Sequence, residues 1–187
     1  MSNHLDYEIN KELGECYLFM GDLDKAEDYY RKAVSSDGTL AAPYLGLATI
    51  AVQRGKLDDA LVLYTKSADL EKSDKAISGI GLVLMEQGAH SQAFESFSHA
   101  LDLNPDNLVA LNCLVRMGYQ LSCVERVLPY LQAALLVSNE KDAIRVTIAG
   151  CLISLGRQNE AREQLEAVLG SDPANTSARE LFDTMAA

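Results

Sequence analysis

The side chains of this chain most able to hold a metal ion or act as a nucleophile are three histidines and four cysteines, and their spacing supports neither role. His4, His90 and His99 form no i, i+4 pair of the kind a helix uses to grip zinc, and no cysteine lies within a turn of any of them. Cys16, Cys113, Cys123 and Cys151 are far apart, with no C-x-x-C pair. Isolated buried thiols in a reducing cytoplasm fit that pattern. No G-x-S-x-G elbow and no phosphate-cradling glycine loop occurs. The carboxylate pair Asp58/Asp59 reads as the first turn of a helix, where negative charge meets the positive end of the dipole. No catalytic residue, metal or cofactor is expected, and the chain reads as a non-enzyme.

Charge narrows the partners. A formal net charge of -11 opposes nucleic acid, whose binding depends on lysine and arginine neutralising phosphates, and it opposes an anionic membrane surface. No stretch approaches the roughly 18 apolar residues of a membrane span, and Met1–Asn10 does not have the pattern of a signal peptide. What remains is a protein partner, with a cytoplasmic location.

The elements that must carry such a function are written in a period of 33 or 34 residues. A glycine followed five places later by alanine recurs at Gly21/Ala26, Gly55/Ala60, Gly88/Ala93 and Gly156/Ala161, with Ser122/Val127 as a blurred copy in phase. Four places after the alanine stands a large apolar or aromatic residue: Tyr30, Tyr64, Phe97, Leu131 and Leu165. Such periods describe a solenoid, in which each unit buries its apolar face by stacking on its neighbours. The units are 7–40, 41–73, 74–107, 108–141 and 142–175, each reading as two helices. Offsets of three and four put the apolar residues of each first helix on one face. The glycine closes that helix, and Asp22 and Ser91 are candidate caps for second helices. Asn104-Pro105-Asp106-Asn107 and Asp172-Pro173-Ala174-Asn175 are turns between units. Residues 1–6 form a short extension expected to fray, and 176–187 a C-terminal capping helix with Ser177 and Glu180 as a capping box.

Unit 108–141 is degenerate. Ser122 stands where the other units have glycine, and Pro129 falls inside the expected second helix. Proline is tolerated in a first turn, so that helix is expected to start late, near Val124–Val127. The other reading is a joint that changes the curvature of the array.

The spacing of Leu13, Gly14, Tyr17, Gly21, Ala26, Tyr30 and Ala33, matched more fully by Ile80, Gly81, Gly88, Ala93, Phe97, Ala100 and Pro105, resembles the tetratricopeptide repeat. The resemblance covers 7–175. It implies an all-α, right-handed superhelical solenoid of five helix-turn-helix repeats, and a non-catalytic scaffold or adaptor that binds a peptide or amphipathic helix in a concave groove. The family's inner-wall positions, carried over, give Leu45, Thr49, Leu82, Met85, Val109, Asn112, Arg116, Tyr119 and Val146 as groove residues, with Gly46 and Gly79 among them on the wall. Leu45, Leu82, Val109, Val146 and Tyr119 supply apolar anchors, and Asn112 and Arg116 supply hydrogen bonds or a carboxylate partner. The alternative is that some of these, Leu82 and Val146 above all, are ordinary core. The family's two-carboxylate clamp for acidic chaperone tails is not matched: Lys11 and Lys75 fit, but Glu15, Gly46 and Gly79 replace its other residues. The acidic wall Glu8, Glu12, Glu15 favours a ligand with a basic end. Two further functions stay open, a self-assembling homo-oligomeric scaffold and the targeting module of an enzyme complex.

Overall fold

A computed structural model describes residues 2–186, and its regular structure among those residues is entirely helical. Helices α1 (Ser2–Phe19), α2 (Leu23–Ser36), α3 (Ala42–Gln53), α4 (Leu57–Leu70), α5 (Asp74–Glu86) and α6 (His90–Leu103) form one compact unit, which ends at Leu103. A second unit begins at Asn104 and holds α7 (Leu108–Gln120), a 3-10 turn (Val124–Arg126), α8 (Leu128–Val137), α9 (Lys141–Ser154), α10 (Gln158–Ser171) and α11 (Thr176–Ala186). Residues 2–6, expected to fray, belong to α1.

The repeated mark is the core. Ala26, Ala60, Ala93, Val127 and Ala161 are all fully buried, and so are, or nearly so, the residues four places on, Tyr30, Tyr64, Phe97, Leu131 and Leu165. A methyl group at the first place lets the paired helices approach, and the larger side chain one turn later fills the space between them. Glycines complete the fit. A Cβ on Gly14 or Gly46 would stand 2.8 or 2.3 Å from the ring of Tyr30, so that ring lies between its own repeat's first helix and the next. Tyr64 covers Gly79 in the same way, at 2.4 Å. Burial, with Glu15 and Cys16 adding to it, pushes the Tyr30 phenol up to about 12.

Polar ties join successive repeats at the rim. Arg54 of the second repeat reaches back to Glu27 and, at 2.5 Å, to Asp24. Gln87 donates to Asp58 at 3.0 Å. In the second unit Arg157 pairs with Glu160 at 2.6 Å and with Glu125 at 3.1 Å.

Some helix starts are capped by short polar side chains, and two of the expected caps do not form. Asp22 accepts the Lys25 N–H at 3.2 Å, and Ser73 and Asn107 accept those of Ala76 and Ala110. Ser91 is not a cap: α6 begins at His90, and the Ala93 N–H bonds to the Ala89 carbonyl. Ser177 lies inside α11, whose cap is Asn175, accepting the Ala178 N–H at 3.1 Å. In both cases the helix begins one residue before the serine, so its hydroxyl lies inside the first turn and not at the N-cap position that reaches the open N–H groups.

The degenerate repeat keeps the turn and changes its chemistry. Gly21, Gly55, Gly88 and Gly156 have φ between +71° and +79°, and Ser122 has φ +54°. The Cys123 N–H bonds to the Gly118 carbonyl, as the Asp22 N–H bonds to that of Tyr17, so the left-handed closure is the same one. The late start also holds: a 3-10 turn occupies Val124–Arg126, α8 begins at Leu128, and Pro129 falls in its first turn. A side chain at positive φ is disfavoured by roughly 1–2 kcal/mol, offset in part by the extra freedom of an unfolded glycine. Ser122→Gly is therefore expected to stabilise the second unit by about 0.5–1 kcal/mol, read as a raised urea midpoint. An unchanged or lower midpoint would mean that the serine side chain contributes more than its backbone loses.

Candidate functional site

The first helices of the second unit carry the best candidate. On α7, Val109, Asn112, Arg116 and Tyr119 follow at offsets of three, four and three, which places them on one stripe. All four are exposed, Val109 at 55% and Tyr119 at 45%. Helix α9 lies beside this stripe, with Ala143 exposed and Val146, Thr147 and Gly150 half-buried. A pocket of about 210 Å³ opens where the two helices begin, lined by Leu108, Leu111 and Asn112 from α7, Leu131 from α8, and Glu140, Ala143, Ile144 and Thr147 around α9.

Tyr119 fixes the other end of this face. Its hydroxyl is hydrogen-bonded with Cys151 and Ser154 of α9, and it lies 3.8 Å from where a Cβ on Gly150 would stand. Burial is the main cause that raises the phenol above its ordinary value; Cys151 adds to the rise and the bond with Ser154 opposes it. Burial likewise pushes the Cys113 thiol up, with Arg116 pulling against it, and pushes Cys151 up. Thiols held protonated in this way are poor nucleophiles. The face offers apolar contact, one guanidinium and one amide, which suits binding.

The positions expected in the first unit are placed differently. Leu45 and Leu82 are half-buried, and Leu45 packs on the cluster of Ala48, Ala51, Ala60, Tyr64 and Val83. Thr49 donates to the Leu45 carbonyl at 3.0 Å and lies 3.3 Å from the Tyr64 hydroxyl. Met85 is only 7% exposed and belongs to the core, so its place on a ligand-facing wall is withdrawn. Gly46 and Gly79 are buried beneath Tyr30 and Tyr64, and they too leave the wall. Leu108, Leu111, Leu131, Glu140 and Ile144 were missed as pocket residues, because they lie outside the positions the repeat pattern assigns to the wall.

A larger pocket, about 370 Å³, lies in the first unit between α2, α3 and α4. Three of its lining charges are already paired: Glu27 bonds with Arg31 and with Arg54. A ligand there would have to displace ion pairs, whereas the α7 stripe presents exposed groups. Among the described residues no cluster of three or more metal-ligating side chains occurs, and no helix is long and apolar enough to cross a membrane.

Family models for the tetratricopeptide repeat match residues 8–39, 45–107 and 124–182, which together span most of the chain. The chain belongs to the tetratricopeptide repeat family. Its fold is the all-α solenoid of that family, and the repeat architecture is that of a protein-interaction scaffold. Among curated relatives, the BBSome complex member BBS4 of Bos taurus is 29% identical over 110 residues, which is 58% of this chain and 21% of the relative. The chain thus spans about a fifth of that protein's length. Pseudomonas aeruginosa pilF has the same fold with a TM-score of 0.76 at 18% identity, covering 100% of this chain and 85% of its own. YrrB, a tetratricopeptide repeat protein with an unusual peptide-binding site, has a TM-score of 0.68 at 15% identity, covering 93% of this chain and 90% of its own.

Proposed function

We propose that this tetratricopeptide repeat chain is a non-catalytic, cytoplasmic scaffold that binds a peptide or amphipathic helix of a partner protein along α7 and α9. The reading rests on the exposed stripe Val109, Asn112, Arg116, Tyr119, in which two apolar side chains bracket an amide and a guanidinium. Val109 and Tyr119 anchor apolar residues of the ligand, with Val146 contributing from α9. Asn112 bonds to its backbone or polar side chains, and Arg116 pairs with a carboxylate. Leu45, Thr49 and Leu82 offer a second, more buried set in the first unit. The peptide-binding site of YrrB supports the reading by analogy of fold. Four free cysteines suit a reducing compartment.

The test is affinity capture from source lysate with the wild-type chain beside Val109→Glu/Arg116→Glu. Both residues are exposed, so the variant is expected to keep its helical circular dichroism. A partner held by the wild type is expected to be lost, since a buried unpaired carboxylate and a reversed charge each weaken binding by about tenfold or more. Equal capture by a folded variant would remove the α7 face from the function.

A further inference from the structure

Helix α1 carries a row of uncovered side chains at the places where later first helices meet the second helix before them. In α3 those places are Pro43 and Ile50, in α5 Ala76 and Val83, and all four are buried. Ile50 lies in one cluster with Ala26 and Tyr30 of the preceding repeat, and Val83 in one with Ala60 and Tyr64, which fixes what the register faces. Thirty-four places before Pro43 and Ile50 stand Ile9 and Cys16, and both are exposed, Ile9 at 47%. Leu5, and Met20 one residue past the end of α1 with its N–H still bonded to the Cys16 carbonyl, are 62% and 73% exposed and extend the row by a turn at each end. At 100° per residue the four fall within one narrow stripe.

A charge beside the stripe distinguishes α1 from the later first helices. In α3 and α5 the rings of Tyr30 and Tyr64 stand over Gly46 and Gly79; the same place in α1 holds Glu12, which is exposed. Glu8 and Glu15 share its flank, Glu8 bonded to Lys11 at 2.6 Å. Across α1 four carboxylates, Asp6, Glu8, Glu12 and Glu15, stand against a single lysine. Two copies paired along this face would bring like charges together, which opposes self-association.

We propose that the α1 face is a docking site for a basic amphipathic helix of a partner protein, packing on the positions that in α3 and α5 meet the second helix before them. Its apolar stripe covers Leu5, Ile9, Cys16 and Met20. A lysine or arginine takes the place that Tyr30 and Tyr64 take in the array and pairs with Glu12. The stem of such a side chain covers apolar surface while its charged end reaches the carboxylate. This surface shares no residue with the α7 stripe and stands or falls separately from it.

The probe is a helix-stabilised peptide about as long as α1, with leucine and alanine on one face and lysines flanking it, titrated by fluorescence anisotropy. A control peptide carries glutamate at each lysine position. The lysine peptide is expected to bind, to weaken with added salt, and to lose about tenfold or more in affinity with Ile9→Asp. Glu12→Lys is expected to weaken the lysine peptide and strengthen the glutamate peptide, and Val109→Glu/Arg116→Glu to change neither. Equal binding of the two peptides would overturn the proposal, as would undiminished binding by Ile9→Asp. A concentration-dependent dimer abolished by Ile9→Asp would also overturn it, by assigning the face to a second copy. Should Ile9→Asp lose its helical signal, the exchange of preference in Glu12→Lys decides the matter.

Discussion

Tyr30→Ala is expected to destabilise the first unit by about 3–5 kcal/mol, the range for removing a large aromatic from a packed core. That is a large share of the roughly 5–15 kcal/mol that holds a domain together. The ring sits between Gly14 and Gly46, the first helices of two successive repeats, so its loss leaves a cavity at both contacts. Neither glycine has a side chain that can move in to close it. Tyr29→Ala is the internal control. Tyr29 is half-buried and stacks on Tyr17 at 5.4 Å between ring centres, at one edge of the packing, and its loss is expected to be the smaller one. Urea titration followed by circular dichroism, with hydrogen exchange on α1 to α3, reads both variants. A Tyr30→Ala loss no greater than that of Tyr29→Ala would show that the ring is not the joint between repeats.

Gly46→Ala is expected to reverse its sign according to what faces it. In the natural background the added methyl would lie 2.3 Å from Cζ of Tyr30. A rigid buried ring can yield only by moving off its rotamer or pushing α3 away, at about 1–3 kcal/mol. Alanine's better helix propensity returns up to about 1 kcal/mol, leaving a net loss. With Tyr30→Ala already present the clash is gone, and the propensity gain of about 0.5–1 kcal/mol should remain. Gly170→Ala, which meets nothing within 4 Å, gives the propensity effect alone. A double-mutant cycle over positions 30 and 46 therefore predicts a strong coupling. Additive effects would mean that the interface relaxes and that the glycine is there for another reason.

Much of the fold was legible because the marks that repeat are the residues with the least freedom to differ. Alanine at 26, 60, 93 and 161 is set by helix approach, and the residue four places on by the volume it must fill. Ser122 was identifiable as a turn by phase alone, and Pro129 by the rule that a first turn needs no N–H. The candidate site was less legible. Position along a helix says which way a side chain points, but not what a neighbouring helix lays over it. Met85 and Val109 both satisfy the wall pattern, yet one is core and the other open. Gly46 and Gly79 read as gaps in a wall because nothing in the sequence around them names the rings of Tyr30 and Tyr64 as their occupants. The missed caps have the same origin on a smaller scale, since a shift of a residue or two moves a hydroxyl past the groups it would satisfy.

The place of Tyr30 also bears on how quickly the chain can assemble. Gly14 and Gly46 each lie sixteen positions from it along the sequence, so both contacts close short loops. Topologies dominated by such near neighbours fold in microseconds to milliseconds, without waiting for distant segments to find one another. A nascent chain can therefore seal this joint as soon as α3 has left the ribosome, and extend the array one helix pair at a time while synthesis continues.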